Sequence, residues 1–367
     1  MPAPLRLTLT DYLDPTRWRW VLSDAKGGFL ADHTVQLDPS TREYQGFVEL
    51  TGYLNFYHEA YPPERQLEDL GDWIGAQVFG GLRAKLWQHC LKPARPVQVL
   101  VPQSAQDLLF RPFELARFEN KQTFRKAGIR FIYQREGVET PAGDKLPAET
   151  KLRILAVFSL PVSQNPLNLR RERYGLQRFV RELNQTQGRA VELLVLQYGA
   201  TRETLEDTLQ DGDGWDIVHL SGHGDKGELL LEDDRGGTDS IGAEELGDWL
   251  APSAERLKLL ILDTCYSGAG SHAAARVQLG LDRVQVRETG AEGEPLAQTA
   301  RTVLPSLAQN LAERLDCAAL AMRYPVGDDF ACELMLSLYD KLLDRNRPLL
   351  RLSILFDGFS CLFDQID

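Results

Sequence analysis

Two residues in this chain have the chemistry of a nucleophile and its base. Cys265 closes the apolar run Leu257-Lys258-Leu259-Leu260-Ile261-Leu262-Asp263-Thr264-Cys265 and is followed by Tyr266-Ser267-Gly268. His223 closes a second run, Trp215-Asp216-Ile217-Val218-His219-Leu220-Ser221-Gly222-His223, and is followed by Gly224. A thiol is mostly protonated near neutral pH, and a neighbouring imidazole frees the thiolate by taking the proton or by pairing with the ion. The same imidazole can then protonate a leaving amine. In that reading the backbone N–H groups of Gly224 and Cys265 receive the developing oxyanion, each donor being worth ~3 kcal/mol. Glycine at 222 and 224 lets the main chain approach a substrate.

His219 competes with His223 for the role of base. It lies inside its run and, while the chain stays extended, on the same face as His223, so it is expected to pack beneath the site and orient its neighbours. Cys90, Cys317, Cys332 and Cys361 complete an odd total of five cysteines with no Cys-x-x-Cys. That count argues against a disulfide framework or a zinc knuckle, and it suggests a reducing, cytoplasmic setting. No metal and no other cofactor is expected. No Gly-x-Gly-x-x-Gly or Gly-Lys-Ser/Thr loop follows a strand, and no Gly-x-Ser-x-Gly elbow occurs, which weighs against nucleotide binding and serine hydrolysis.

Delivering His223 and Cys265 to one place requires strands that end side by side. From Lys151 onward, short apolar strands alternate with amphipathic helices. Strands are expected at Leu152 to Phe158, Val191 to Leu196, Asp216 to Leu220, Leu257 to Leu262 and Cys317 to Met322. Helices are expected at Tyr174 to Gln187, Arg202 to Leu209, Ala243 to Leu250, Leu304 to Leu315 and Asp328 to Leu343. Such alternation implies an α/β fold with a mostly parallel sheet covered on both faces, whose ligands bind beyond the carboxyl ends of the strands. If the His and Cys strands are neighbours, their ends lie ~5 Å apart. The first third reads differently, with alternating Leu5, Leu7 and Leu9, a hairpin around Ala25-Lys26-Gly27-Gly28, helical stretches near 44–60 and 66–90, and a strand at Val97 to Val101. The Pro-, Gly- and charge-bearing segment Thr140 to Glu149 is the expected boundary, giving an α+β region over 1–145, a second domain over 150–345 and an apolar tail over 346–367.

With 367 residues, 43% apolar and 26% charged, the chain has the composition of a folded globular protein. Its formal charge of -12 repels polyanions, so no nucleic-acid partner is expected. The arginines at 170, 171, 173, 178 and 181 read as the solvated face of a helix. The amino terminus lacks the pattern of a signal peptide, no apolar run approaches the ~18 to 20 residues of a membrane span, and no membrane partner is expected. Between Gly270 and Thr299 periodicity fades into an expected loop carrying Arg276, Arg283 and Arg287. Such a segment is either a plain crossover insertion or a site of self-processing.

His223-Gly224 after one strand and Asp263-Thr264-Cys265-Tyr266-Ser267-Gly268 after the next resemble the signature of the CHAT family, cysteine peptidases of the caspase-like clan related to separase and metacaspases. Arg111-Pro112-Phe113-Glu114-Leu115 and Ala321-Met322-Arg323-Tyr324-Pro325-Val326-Gly327-Asp328 extend the resemblance over about 95–345. The resemblance implies a caspase-like three-layer α/β/α fold, with the first third as a possible degenerate half. It also implies endopeptidase activity from a Cys265–His223 dyad on a protein substrate, in bacterial defence or programmed cell death. By similarity to metacaspases Asp263 binds a basic P1 side chain, and by similarity to separase Asp328 and Asp329 are further pocket residues. Arg323 could neutralise that pocket, and Asp263 could instead serve only the turn it sits in. The tail, rich in Leu and Phe, would pack on the sheet or dock a sensor or regulatory protein. The alternative to a peptidase is a catalytically silent scaffold on the same fold.

Overall fold

The computed structural model describes residues 4–57, 62–90, 96–135, 151–186, 190–210, 213–225, 228–265, 267, 306–322 and 326–343. The expected boundary at 140–149, the loop at 270–299, Arg323 and the tail from 346 lie outside them. The chain divides into two compact units, whose described residues are 4–135 and 151–343.

In the first unit β1 (Leu5–Asp14), β2 (Arg17–Ser23), β3 (Phe29–Gln36), β4 (Pro96–Val101) and β5 (Arg130–Arg135) form one sheet in the order β3-β2-β1-β4-β5. β1, β2 and β3 are antiparallel neighbours, whereas β4 runs parallel to both β1 and β5. Leu5, Leu7, Leu9, Trp18, Trp20 and Leu22 alternate into the core, the period-two signature of a half-buried sheet. The two helical stretches expected here are subdivided. Glu49 leaves helical geometry between α1 (Arg42–Val48) and α2 (Leu50–Tyr57). The second stretch is α3 (Pro63–Trp73), a π-helical turn ending at Gly80, and α4 (Leu82–Cys90). Arg111, the first residue of the stretch 111–115 that extends the resemblance, is buried here, bridging Asp107 at 3.2 Å and the Val48 carbonyl at 3.1 Å.

The second unit is an α/β layer structure around a five-stranded, wholly parallel sheet. It comprises β6 (Leu152–Ser159), β7 (Val191–Gln197), β8 (Ile217–Gly222), β12 (Leu259–Asp263) and β13 (Ala318–Ala321), in the order β13-β12-β8-β6-β7. Alternate residues face opposite layers. Ile154, Ile217, Leu259 and Ile261 pack under α5 (Leu169–Thr186) and the helix α9 (Asp328–Leu342). Leu155, Val218, Leu260 and Leu262 pack under α6 (Arg202–Gln210), α7 (Ala243–Leu250) and α8 (Leu307–Leu315). Strands buried on both faces are near-continuously apolar, as read from the sequence. A small antiparallel ribbon of β9 (Gly224–Asp225), β10 (Glu228–Glu232) and β11 (Thr238–Ile241) follows β8 and was not expected. No helix among the described residues is long and apolar enough to cross a membrane.

The amino end of the sheet is fastened by a single buried carboxylate. Asp216 accepts from the Arg153 N–H at 2.9 Å and from Nε and Nη2 of Arg256 at 3.0 and 2.8 Å. Asp216→Ala would strand these donors and is expected to cost about 3 kcal/mol, read as a lowered urea midpoint. An unchanged midpoint would show that the pair contributes nothing net.

Candidate active site

Parallel pairing decides where the two motifs end. β12 runs beside β8 with Leu259 opposite Ile217, Ile261 opposite His219 and Asp263 opposite Ser221. His223 and Cys265 therefore each lie two residues beyond the same paired rung, on adjacent strands ~4.8 Å apart. The loops that carry them touch. A Cβ placed on Gly224 would fall 2.7 Å from the Cys265 carbonyl oxygen and 2.9 Å from Thr264 Cβ, so only glycine permits the approach.

Each side chain is held from its own side. His223 Nε2 lies 2.7 Å from the carbonyl oxygen of Asn165, in the loop after β6. A carbonyl only accepts, so in the neutral ring Nε2 carries the hydrogen and Nδ1 is left with the lone pair, the atom a base needs. The turn beyond Cys265 is tied by Ser267, whose buried hydroxyl lies 2.8 Å from the Thr264 oxygen and 3.1 Å from that of Leu262. Cys265 itself is a free, partly exposed thiol. Burial pushes the thiols of Cys317 and Cys332 up to about 12, which keeps both protonated and unreactive near neutral pH.

Directly behind this pair lies a sealed polar cluster. His219 is fully buried, as expected for a residue beneath the site. Its Nδ1 is 2.9 Å from the Tyr339 hydroxyl, with the two rings nearly parallel, and its Nε2 is 3.0 Å from Glu172 Oε1. That last contact has an ion-pair distance without hydrogen-bond alignment, since neither atom has a hydrogen-bond partner. Ser221 Oγ donates to the other Glu172 oxygen at 2.7 Å. Asp263 completes the group: one ligand-capable atom from each of Glu172, His219 and Asp263 lies within 4.8 Å of the other two. Desolvation, followed by the Glu172 charge, raises the Asp263 carboxyl from 3.8 to about 7, with His219 opposing and Asp328 adding to the rise. A raised acid favours the folded state below its unfolded value, and this contribution is lost as pH climbs through 7.

Of the four residues expected in a specificity pocket, Asp263 and Asp328 come together. Asp328 opens α9 and accepts from the Asn168 N–H at 2.9 Å, close enough to act on Asp263. Asp329 turns away to an exposed pair with Arg171 at 2.7 Å. Arg323 lies outside the described residues.

Glu172 was missed, hidden in a stretch read as the solvated arginine face of a helix. The signal was present: Glu172 falls in step with Leu169, Leu176, Val180 and Leu183, the buried stripe of α5. A lone carboxylate on an apolar stripe demands a polar partner across the interface.

A thiol and an imidazole at neighbouring carboxyl ends of a parallel sheet define a cysteine-peptidase-like α/β module. The chain belongs to the CHAT domain family, whose model matches residues 81–352 and so spans parts of both units. No curated protein matches the chain. Among solved structures, caspase-1 from Spodoptera frugiperda aligns over 62% of this chain and 84% of its own, at 13% identity and a TM-score of 0.31.

Proposed function

We propose that this chain is a cysteine endopeptidase in which Cys265 attacks the scissile carbonyl and His223 serves first as base and then as acid. The observation that carries this reading is the contact of Gly224 with Thr264 and Cys265 at the ends of register-matched strands. Deprotonation by Nδ1 of His223 gives the thiolate, which adds to the carbonyl carbon; the Gly224 and Cys265 N–H groups are the oxyanion donors. The proton then passes from His223 to the leaving amine, and water later releases the acyl group from sulfur. The dyad needs no metal or other cofactor. The partner is a protein substrate, met in the cytoplasm in bacterial defence or programmed cell death, with the apolar tail as the seat of a sensor or regulatory protein.

Cleavage after Arg or Lys follows from the buried acids near the nucleophile, which offer charge-assisted hydrogen bonds. Profiling the wild type and Asp263→Ala on a peptide library is expected to show a basic P1 preference that falls by tenfold or more in the variant, in line with the loss of about 1.4 kcal/mol or more. The same preference for an uncharged P1 residue in both proteins would overturn the pocket. Cleavage of no peptide and of no protein encoded nearby would favour the silent scaffold instead.

A further inference from the structure

The cluster behind the dyad carries a charge imbalance. Glu172 and Asp263 are both buried carboxyl groups, and among the described residues neither forms an ion pair with a lysine or arginine. Arg171, on the same helix, is taken by Asp329 and Glu333. From β8 the cluster is faced by His219 and Ser221, and from α9 by Asp328, Cys332 and Tyr339. Two adjacent buried carboxylates cannot both stay ionised unless positive charge offsets them, and His219, one imidazole against two carboxyl groups, can offset at most one. Independently, Glu172 Oε1 and His219 Nε2 are sealed from solvent without a hydrogen-bond partner, and Glu172, His219 and Asp263 each bring one ligand-capable atom within 4.8 Å of the other two. Exposure rises from 0% at His219 through 2% at Glu172 to 7% at Asp263, and Cys265 beyond it is partly exposed. Asp263, the least buried of the three, is also the one that lies two residues before the nucleophile.

We infer that a proton shared by Asp263 and Glu172 occupies the seat of a cationic P1 side chain, and that an entering guanidinium or ammonium displaces it to solvent, with Glu172 setting how tightly it is held. This rests on the basic-P1 reading above and adds the exchange to it. The step is balanced: one carboxyl O–H ionises, its proton goes to water, and the charge of the incoming side chain takes its place. No covalent bond of the protein or peptide changes. The raised Asp263 carboxyl agrees with a proton held at this position as pH falls below about 7.

The test is calorimetric titration of the full chain carrying Cys265→Ala with an acetylated peptide ending in Arg at P1, in two buffers of different ionisation enthalpy. The same peptide with citrulline, the neutral isostere of arginine, is the comparison. With a carboxyl near 7, arginine binding is expected to release close to one proton at pH 6 and almost none at pH 8, and to tighten about tenfold between them. Citrulline should bind more weakly at pH 8 and release none. Adding Glu172→Gln should reduce the release at pH 6 while arginine stays preferred. Asp263→Asn, of the same shape, should abolish both release and preference, and it keeps the test decisive if Glu172→Gln fails to fold. Arginine binding without proton release at pH 6 overturns the exchange and leaves the basic P1 reading standing. Equal binding of arginine and citrulline overturns both. Stoichiometric binding of Zn2+ or Ca2+ that Glu172→Gln removes also overturns the exchange, because the seat would then be that of a metal.

Discussion

His223→Ala is expected to lower kcat/KM on a cleavable peptide by about a thousandfold, within the range assigned to a positioned general base, while leaving the urea midpoint unchanged. Cys265→Ala should leave no turnover at all, and it should remove the rapid labelling that peptide mass spectrometry locates at position 265, whereas Cys317 and Cys332, with thiols pushed to about 12, should label slowly in both proteins. The selectivity of the result is what matters. His223 touches the Asn165 main chain and is partly exposed, so its loss removes chemistry more than packing. His219 is fully buried against Tyr339 and Glu172, and His219→Ala should instead melt the second unit early, by roughly 3 kcal/mol or more. A His223→Ala enzyme retaining a tenth of wild-type activity would remove that residue from the mechanism. Asn165→Ala is the matched control: the tether is a carbonyl that every residue type possesses, so activity should hold within about threefold, a change of under 1 kcal/mol.

The second large effect is expected at Gly222, the last residue of β8. Its φ of 155° lies where side chains rarely sit, and a Cβ there would stand 2.4 Å from the carbonyl oxygen of Ser159 on the neighbouring strand. Backbone, not a flexible side chain, is the obstacle, so β6 and β8 would have to part at the rung just below His223. Gly222→Ala should therefore cost about 2 to 4 kcal/mol of stability and, through misplacement of His223, about a hundredfold in activity of the fraction that folds. Wild-type stability and turnover in this variant would show that the strand ends tolerate far more movement than the contact implies.

Much of the second unit was legible because its physics is local. Runs such as Leu152 to Phe158 and Leu257 to Leu262 are apolar on both sides, which only a strand covered on two faces requires. His223, between two glycines beyond β8, and Cys265 beyond β12 were visible for the same reason. What escaped depended on partners distant in sequence. Glu172 looked like one more charge among arginines until His219 and Ser221 were brought to it across the sheet. The ribbon β9–β11 was overlooked although Leu229 and Leu231 alternate inward, because strands this short carry too few repeats to stand out from a loop. In the first unit, apolar periodicity ran on through 66–90 and did not by itself reveal the π-helical turn, which is set by a change in backbone hydrogen bonding.

The polar rungs of the sheet have a consequence for how this sequence can vary in length. Residues 219 and 221 on β8 and 263 on β12 occupy one face, in step with Ile217, Leu259 and Ile261, while the opposite face is entirely aliphatic at Val218, Leu220, Leu260 and Leu262. Deleting a single residue within β8 would rotate everything beyond it by half a turn, driving an imidazole and a hydroxyl into the layer beneath α7 and α8 and orphaning Glu172 on the other side. Insertions should be tolerated between β9 and β10 and in the turn over 233–237, and rejected between 217 and 222. Gaps in these strands, more than substitutions in them, are the changes that such a chain is least able to survive.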